Sequence, residues 1–183
     1  VCTADSAGNY TVYCVVTNKV GAVQSRTAEI NVGYDFVMEN GQLSKGYLGF
    51  SSTNPSSWQG FTGDSYRLTC VGENTTSALY TSEKFDCTGK DEIWFYISNM
   101  FLDDFTGSSD NKNPGTVTVG VCDAYDYEFY AYTSITPYNA PEGIWLKVDL
   151  TYVTGKKYIK IITSRGARAY YHVNLFFKHI YFA

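Results

Sequence analysis

Short segments in which apolar and polar residues alternate recur along most of the chain. The alternating apolar positions are Ile93, Phe95 and Ile97; Val117, Val119 and Val121; Ile144, Leu146, Val148 and Leu150; Ile159 and Ile161; and Phe176, Ile180 and Phe182. A period of two is typical of a strand with one face in the core. Turn-forming residues separate these segments. No stretch of helical periodicity is long enough to predict a helix. The pattern predicts an all-β fold, an antiparallel β-sandwich of the jelly-roll type.

The aromatic content of the chain changes abruptly near residue 33. Of the 17 Tyr, 11 Phe and 3 Trp residues, only Tyr10 and Tyr13 precede that position. We therefore predict a domain boundary at Val32-Gly33-Tyr34, which divides the chain into segments 1–32 and 33–183. The first segment has the pattern of one β-hairpin with a turn at residues 18–21. Because an isolated hairpin is marginally stable in water, this segment needs further strands or a neighbouring domain to pack on.

The first 32 residues also contain a motif of Asp, Gly, Tyr and Cys. The stretch Asp5-Ser6-Ala7-Gly8-Asn9-Tyr10 is followed by Tyr13-Cys14-Val15-Val16-Thr17-Asn18 and by Val20-Gly21. This order resembles the last two strands of an immunoglobulin-like domain, although Cys14 follows Tyr10 by four residues where the family has two. The resemblance implies that residues 1–32 are the C-terminal strands of such a domain, in a protein longer than this chain.

Charge and hydropathy argue against two classes of partner. The 14 Lys and Arg residues against 18 Asp and Glu residues give a net charge of −4, whereas nucleic-acid binders are usually basic. No apolar run approaches the ~20 residues of a membrane helix, so we expect no membrane insertion.

The five cysteines, Cys2, Cys14, Cys70, Cys87 and Cys122, include no Cys-x-x-Cys pair, so we expect no structural zinc site. The spacing allows a disulfide between Cys70 and Cys87, or between Cys2 and Cys14, but establishes neither. The favoured interpretation is that the cysteines are free thiols buried in strands, because Cys behaves as a small apolar residue.

A first candidate binding cluster is rich in tyrosine. Its aromatic residues are interleaved with acidic ones, in the series Asp123, Tyr125, Asp126, Tyr127, Glu128, Phe129, Tyr130, Tyr132 and Tyr138. Tyrosine combines a large rigid apolar face with a polar tip, and sugar rings stack on such faces. We predict that Tyr125, Tyr127, Tyr130 and Tyr132 bind ligand, with ordinary strand composition as the alternative. Strand alternation points Tyr125 and Tyr127 to one side and Tyr130 and Tyr132 to the other, so we expect one pair in the core.

A second candidate cluster combines arginines with tyrosines near residue 170. We predict Arg165, Arg168, Tyr170 and Tyr171 as further ligand-binding residues, because a basic loop with aromatic side chains suits acidic sugars or phosphate. The alternative is a solvated loop beside an exposed strand face.

The order of the aromatic strand segments supports a second resemblance. Trp58-Gln59-Gly60, Tyr66-Arg67-Leu68, Glu92-Ile93-Trp94-Phe95, Trp145-Leu146-Lys147-Val148-Asp149-Leu150 and Phe177-Lys178-His179-Ile180-Tyr181-Phe182 follow one another in the chain. This series resembles a galactose-binding-like jelly roll, as found in many bacterial carbohydrate-binding modules. The family often ends on an acidic residue near a structural calcium. Because Lys178-His179 occupies that region, no calcium site is implied.

Motifs for catalysis are absent from the sequence. There is no Gly-x-Ser-x-Gly, no phosphate-binding Gly loop and no His-Glu-x-x-His, and the chain has only two His residues. We therefore predict no catalytic residue, no metal and no cofactor. A glycosidase fragment whose paired carboxylates are near only in space is the remaining enzyme hypothesis.

These observations lead to one functional prediction and one alternative. The prediction is a non-catalytic carbohydrate- or cell-surface-binding module of a larger extracellular protein, which binds a glycan or a cell-surface receptor. The alternative is a structural or receptor-binding (adhesin) component of a phage virion or tail fibre, located in the virion and forming a homo-oligomer. Neither hypothesis includes nucleic acid.

Overall fold

The computed structural model describes residues 8–32, 35–44, 48–72, 74–104, 116–124, 128–136, 143–165 and 171–183. The chain divides into two compact units, Val1–Asp35 and Phe36–Ala183, and each is described by itself. Within the described residues all regular elements are strands. In chain order these are β1 (Gly8–Val12), β2 (Val15–Asn18), β3 (Gly21–Gln24), β4 (Ala28–Val32), β5 (Asp35–Glu39), β6 (Gln42–Leu43), β7 (Leu48–Ser52), β8 (Trp58–Thr62), β9 (Ser65–Cys70), β10 (Thr76–Thr81), β11 (Phe85–Asp86), β12 (Glu92–Asp104), β13 (Thr116–Cys122), β14 (Ala131–Ile135), β15 (Ile144–Asp149), β16 (Lys156–Ser164) and β17 (Tyr171–Phe182).

The first unit is the predicted hairpin, interrupted once. β1 pairs with β4 and β2 pairs with β3, both antiparallel. At the tip, the Asn18 side-chain oxygen accepts hydrogen bonds from the Val20 and Gly21 N–H groups at 2.8 and 3.1 Å. The side chains of β2 and β3 are all exposed. The immunoglobulin-like origin of this segment stays a prediction.

The second unit is an antiparallel β-sandwich, which confirms the predicted fold class. One sheet has six strands in the order β14-β13-β16-β10-β7, with β11 pairing to the start of β16. The other has seven strands in the order β15-β12-β17-β5-β6, with β9 also paired to β17 and β8 paired to β9. Strands distant in sequence are therefore neighbours in both sheets.

The core lies between these two sheets and follows the predicted alternation. Each sheet turns its buried apolar residues inward, and the central ones are Leu68, Phe95 and Ile180 from the seven-stranded sheet and Leu79, Val119 and Ile161 from the six-stranded sheet. Since successive side chains on a strand point to opposite faces, the intervening residues must lie on the outward faces. The outward faces are thus fixed by the core pattern.

The predicted inward position of Phe176 is wrong. Phe177 is fully buried, whereas Phe176 is half-buried on the outward face beside Arg67. The register between β12 and β17 shifts near Ile97, where Tyr96 pairs with His179 but Ile97 pairs with Phe177. This irregularity adds a residue to β17 and reverses which side chains face inward before it. Ile180 and Phe182, which follow it, are buried as predicted.

A tight turn brings β5 and β6 against β17. Asn40 and Gly41 both have positive φ angles, 49° and 73°, as a two-residue hairpin with an Asn-Gly turn requires. The Gly41 N–H donates a hydrogen bond to the Lys178 carbonyl oxygen at 2.9 Å. This bond holds the hairpin beside the segment of β17 that carries His179.

The described cysteines are free thiols, so the Cys70–Cys87 disulfide that the spacing left open is not formed. Cys70, Cys87 and Cys122 are buried as expected, whereas Cys14 is exposed. Cys2 lies outside the described residues.

Candidate functional site

The predicted tyrosine cluster is partly described. Tyr130 and Tyr132 are 55% and 61% exposed, so neither ring is in the core. Tyr125 and Tyr127 lie outside the described residues. Tyr132 lies on β14, which is an edge strand of the six-stranded sheet in the part of the chain that the structure describes. The group formed by Phe129, Tyr130 and Tyr132 is called the tyrosine edge below.

Two rings of the tyrosine edge, those of Tyr130 and Phe129, pack on lysines. The Lys157 Nζ lies 4.4 Å from the centre of the Tyr130 ring, and the Lys160 Nζ lies 5.5 Å from that of Phe129. Both lysines are buried, and Lys157 also forms an ion pair of 2.6 Å with Asp123. Cation–π contacts of this kind contribute about 0.5–2 kcal/mol, more when the cation is desolvated. These rings therefore cover buried charges of the fold itself.

Of the predicted arginine cluster, the structure describes the side chain of Arg165 alone. Arg165 is only 4% exposed, and its backbone N–H donates to the Thr75 carbonyl oxygen at 2.8 Å. Arg165 directly follows β16 and lies five residues beyond Lys160, about 17 Å along the strand direction, and Lys160 shares a register row with Tyr132. Arg168 and Tyr170 lie outside the described residues. Tyr171 begins β17 opposite Asp104.

A larger aromatic group covers the outward face of the seven-stranded sheet. Strand pairing aligns Trp145, Tyr96 and His179 in one row across β15, β12 and β17. The neighbouring row contains Trp94 and Tyr181, and Phe36 of β5 contacts His179 and Tyr181. The name aromatic platform is used below for Phe36, Trp94, Tyr96, Trp145, His179 and Tyr181.

The rings of the aromatic platform hold one another in place. Tyr96 packs against Trp145 with ring centres 4.7 Å apart and against His179 at 5.8 Å, with interplanar angles of 34° and 26°. Trp94 and Tyr181 meet Trp145 nearly edge-on, at 78° and 73°. Each such aromatic pair adds about 0.5–1.5 kcal/mol beyond the burial of its area. Because the rings are already fixed, a ligand that binds them orders few side chains.

Trp145 is the ring of the platform that is most open to solvent. Its side chain is 47% exposed and lies on β15, an edge strand among the described residues. Beside it, Glu92 accepts hydrogen bonds from the Lys147 Nζ at 2.7 Å and from the Trp94 Nε1 at 2.9 Å. The bond from Lys147 holds the pKa of Glu92 below its usual value, and the same bond raises the pKa of Lys147. An exposed indole with a charged carboxylate and ammonium nearby can stack on a sugar ring and hydrogen-bond its hydroxyls.

His179 lies inside the platform as a neutral ring. Burial lowers its pKa below the ordinary value of 6.5, and the positive charge of Lys178 lowers it further. Its Nδ1 atom is buried and has no hydrogen-bond partner among the described residues.

The aromatic platform was not predicted as a site, although the signal was present. The alternation around Phe95 and Leu146 places Trp94, Tyr96 and Trp145 on the non-core side of their strands. The local pattern does not specify that β12 pairs with both β15 and β17. This pairing brings the rings together.

Groups for chemistry are scarce in the described part of the chain. It contains no cluster of three or more His, Cys, Asp or Glu side chains that would hold a metal ion. Burial raises the pKa of the Cys87 thiol to about 11, so this thiol is not a nucleophile at neutral pH. Nor does the described part include any helix with the length and apolar character needed to cross a bilayer.

Comparison with known proteins shows the class of fold. No protein-family model matches the chain, and no curated protein matches it. Among solved structures, a carbohydrate-binding module from the β-sandwich superfamily is similar over 97% of this chain and 75% of its own length, with a TM-score of 0.54 and 15% identity. At that identity the similarity establishes a shared β-sandwich fold.

Two further structures are more distant. A family 29 carbohydrate-binding module complexed with mannohexaose has a TM-score of 0.47 and 15% identity, over 84% of this chain and 93% of its own. The Endo-D glycoside hydrolase domain from Streptococcus pneumoniae has a TM-score of 0.48 and 16% identity, but the match covers 74% of this chain and only 21% of that one. Similarities this distant carry no further argument.

Proposed function

We propose that this chain is a non-catalytic carbohydrate-binding module whose ligand stacks on the aromatic platform. The observation that carries the proposal is the environment of Trp145, whose ring is 47% exposed and is supported from within the sheet by Tyr96. Outward faces of antiparallel sheets are ordinarily polar, so six aromatic side chains in contact on one such face require an explanation. Sugar binding accounts for both the exposed indole and the polar groups next to it.

The binding energy would come from a few rigid contacts. Exposed Trp and Tyr rings supply large contact areas at low entropic cost, and they dominate binding energies at interfaces. The Glu92–Lys147 pair offers a fixed acceptor and a fixed donor for ligand hydroxyl groups. No bond is made or broken in this scheme.

The proposed biological setting is a cell-surface or secreted protein of which this chain is one part. The sandwich fold shared with a known carbohydrate-binding module supports the glycan partner. The setting itself rests on the sequence prediction. A cell-surface receptor that carries protein-linked glycans is a ligand of the same kind for the platform.

A virion or tail-fibre adhesin is the second candidate, favoured by one observation. Cys14, Cys70, Cys87 and Cys122 are all free thiols, and one of them is exposed. Free thiols are usual in proteins that assemble in a reducing compartment, whereas secreted domains usually oxidise them. Self-association of the chain at micromolar concentration, measured by sedimentation, would support this setting.

Calorimetric titration of the full chain tests the proposed binding surface. The probes are neutral oligosaccharides of equal length built from glucose, mannose, xylose and galactose. We expect at least one to bind and Trp145→Ala to weaken that binding about 30-fold, since the loss of a central Trp costs about 2 kcal/mol or more. Tyr132→Ala is the matched control from the tyrosine edge, and its affinity is expected to stay within about threefold of the original.

Two results would contradict the proposal. If Tyr132→Ala loses binding and Trp145→Ala keeps it, the predicted tyrosine edge is the site and the platform is structural. If the folded chain binds none of the four neutral series and no acidic oligosaccharide either, the proposed function is wrong. An unchanged thermal midpoint in each variant shows that the comparison is made between folded proteins.

A further inference from the structure

Arg67 is held between two aromatic rings on the same outward face as the platform. Its guanidinium carbon lies 4.5 Å from the centre of the Trp58 ring and 5.3 Å from that of Phe176. Register places Arg67 directly opposite Phe176 on β17, while Trp58 on β8 pairs with Thr69, two residues further along β9. The guanidinium therefore lies within cation–π distance of two aromatic side chains.

One edge of this guanidinium is also fixed by hydrogen bonds. The Nε–H donates to the Asn174 Oδ1 at 3.2 Å, and an Nη2–H donates to the same oxygen. Asn174 is fully buried, and Thr69 Oγ1 donates to that oxygen as well, at 3.1 Å. The acceptor is thus a neutral amide, so the arrangement orients the guanidinium without neutralising its charge.

The opposite edge of the guanidinium is left for an external acceptor. With Nε–H and one Nη2–H used, the end of the group still carries parallel Nη1–H and Nη2–H donors, for which no acceptor exists among the described residues. Two parallel N–H donors in a plane match the two oxygens of a carboxylate. A flexible surface arginine would have to order this edge on binding, whereas Arg67 is already ordered.

The charge of Arg67 is also uncompensated on this face. Lys147 is paired with Glu92 and Lys178 with Asp64, but Arg67 has no ion pair within the part of the chain that the structure describes. A negatively charged ligand would meet a fixed positive charge there, which gives the electrostatic complementarity that specific recognition uses.

A ring suited to a sugar lies next to this charge. Trp58 is 41% exposed and lies on β8, which pairs only with β9 among the described strands. Trp58 keeps this exposure although the Arg67 guanidinium lies over its ring. The exposed indole and the free edge of Arg67 together present a stacking surface and a carboxylate receptor side by side.

We propose that Trp58 and Arg67 form a subsite for the carboxylate-bearing residue of an acidic glycan, such as a uronic acid. The sugar ring stacks on Trp58, and its carboxylate accepts two hydrogen bonds from the end of the Arg67 guanidinium. This subsite rests on the proposed glycan-binding function and specifies its ligand class as acidic. Asn174 is a positioning residue for Arg67 and does not touch the ligand.

The test compares acidic and neutral ligands by calorimetry on the full chain. The probes are trimers of galacturonate, mannuronate and glucuronate, each with the uncharged trimer of its parent sugar. We expect at least one uronate to bind about tenfold tighter than its neutral counterpart. Arg67→Gln should weaken the affinity for uronates by about 10- to 100-fold, which is the range for a hydrogen bond to a charged group. The same variant should leave the affinity for neutral trimers within about twofold of the original.

Two further variants separate recognition from folding and from net charge. Arg67→Lys keeps the stem and the charge but lacks the planar fork, so it should fold like the original chain and still lose most of the preference for uronates. Lys156→Gln removes one exposed positive charge from the six-stranded sheet and should leave uronate affinity unchanged.

The outcomes distinguish this subsite from the wider function. Neutral binding with no preference for uronates, or a uronate preference that survives both Arg67 variants, overturns the subsite and leaves the proposed function standing. Preference for sulfated galactose trimers over uronates contradicts the carboxylate assignment. If the chain binds neither neutral nor acidic trimers, both proposals fail together.

Discussion

Two groups of aromatic side chains lie on opposite outward surfaces of the sandwich, and they differ in what supports them. At the tyrosine edge, Tyr130 and Phe129 lie over the buried ammonium groups of Lys157 and Lys160. On the aromatic platform, Trp145 and Tyr96 are supported chiefly by other rings. Rings over buried charges stabilise the fold, whereas rings supported by rings leave an apolar surface for a ligand. Under the proposed function, the tyrosine edge has a structural role and the aromatic platform binds the ligand, although both groups are exposed aromatic residues.

The largest expected effect is on the free energy of unfolding, and it tests how tightly each outward surface is packed. A Cβ atom at Gly120, beneath the tyrosine edge, would lie 2.1 Å from the Ala131 carbonyl oxygen, so the backbone of β14 must move. We expect Gly120→Ala to lower the free energy of unfolding by about 3 kcal/mol. The matched change on the opposite surface is Gly60→Ala, whose Cβ would meet only Trp58, at 3.7 Å.

Urea denaturation of both glycine variants provides the measurement. Gly60→Ala should keep the midpoint of the original chain or raise it slightly, because alanine restricts the unfolded chain more than glycine does. Equal losses in the two variants would show that the outward surfaces do not differ in packing.

The second effect concerns the ion pairs of the two surfaces. Asp123→Asn removes the counter-ion of Lys157, whose side chain is 10% exposed, and we expect a loss of about 2 kcal/mol because the ammonium stays buried. Glu92→Gln breaks the exposed pair with Lys147 beside the platform and should leave the unfolding midpoint nearly unchanged. Thermal and urea unfolding of the two variants at low salt would measure the difference, and a larger loss in Glu92→Gln would reverse the assignment.

The smallest expected effect is a pH dependence of stability that arises from His179 in the platform. Burial holds the pKa of His179 below 6.5, so the unfolded chain takes up a proton at this residue before the folded chain does. The stability that neutral His179 contributes is complete above pH 6.5 and is lost as the pH falls through the lowered pKa. His179→Phe keeps a ring in the platform and removes the titration. Its thermal midpoint should fall less than that of the original chain between pH 7 and pH 5, and parallel slopes would contradict the account.

Much of the fold follows from local alternation. Phe95, Val119 and Ile161 are fully or almost fully buried, as a period of two predicts, and the antiparallel sandwich follows from many such strands with turns between them. The pattern failed at Phe176, because the irregularity near Lys178 shifts the side chains of β17 by one position. Whether a strand contains a bulge depends on its partner, which the local pattern does not specify.

The candidate site was less predictable than the fold. The tyrosine series near residue 130 was visible because its members are close in sequence. The aromatic platform combines Trp94, Trp145 and Tyr181, which are far apart in the chain and become neighbours only through strand pairing. Likewise, nothing local to Arg67 indicated that Asn174 would orient it.

The distribution of tryptophan allows a direct test of the central claim, that ligand binds the platform side of the sandwich. All three tryptophans, Trp58, Trp94 and Trp145, lie on the outward face of the seven-stranded sheet, while Tyr130 and Tyr132 mark the tyrosine edge. The measurement is an NMR titration with a bound neutral oligosaccharide that follows the three indole N–H signals and the labelled tyrosine rings. The account predicts the largest shift at Trp145, a smaller one at Trp94 and none at Tyr132. Shifts at Tyr130 and Tyr132 with unmoved indole signals would contradict it.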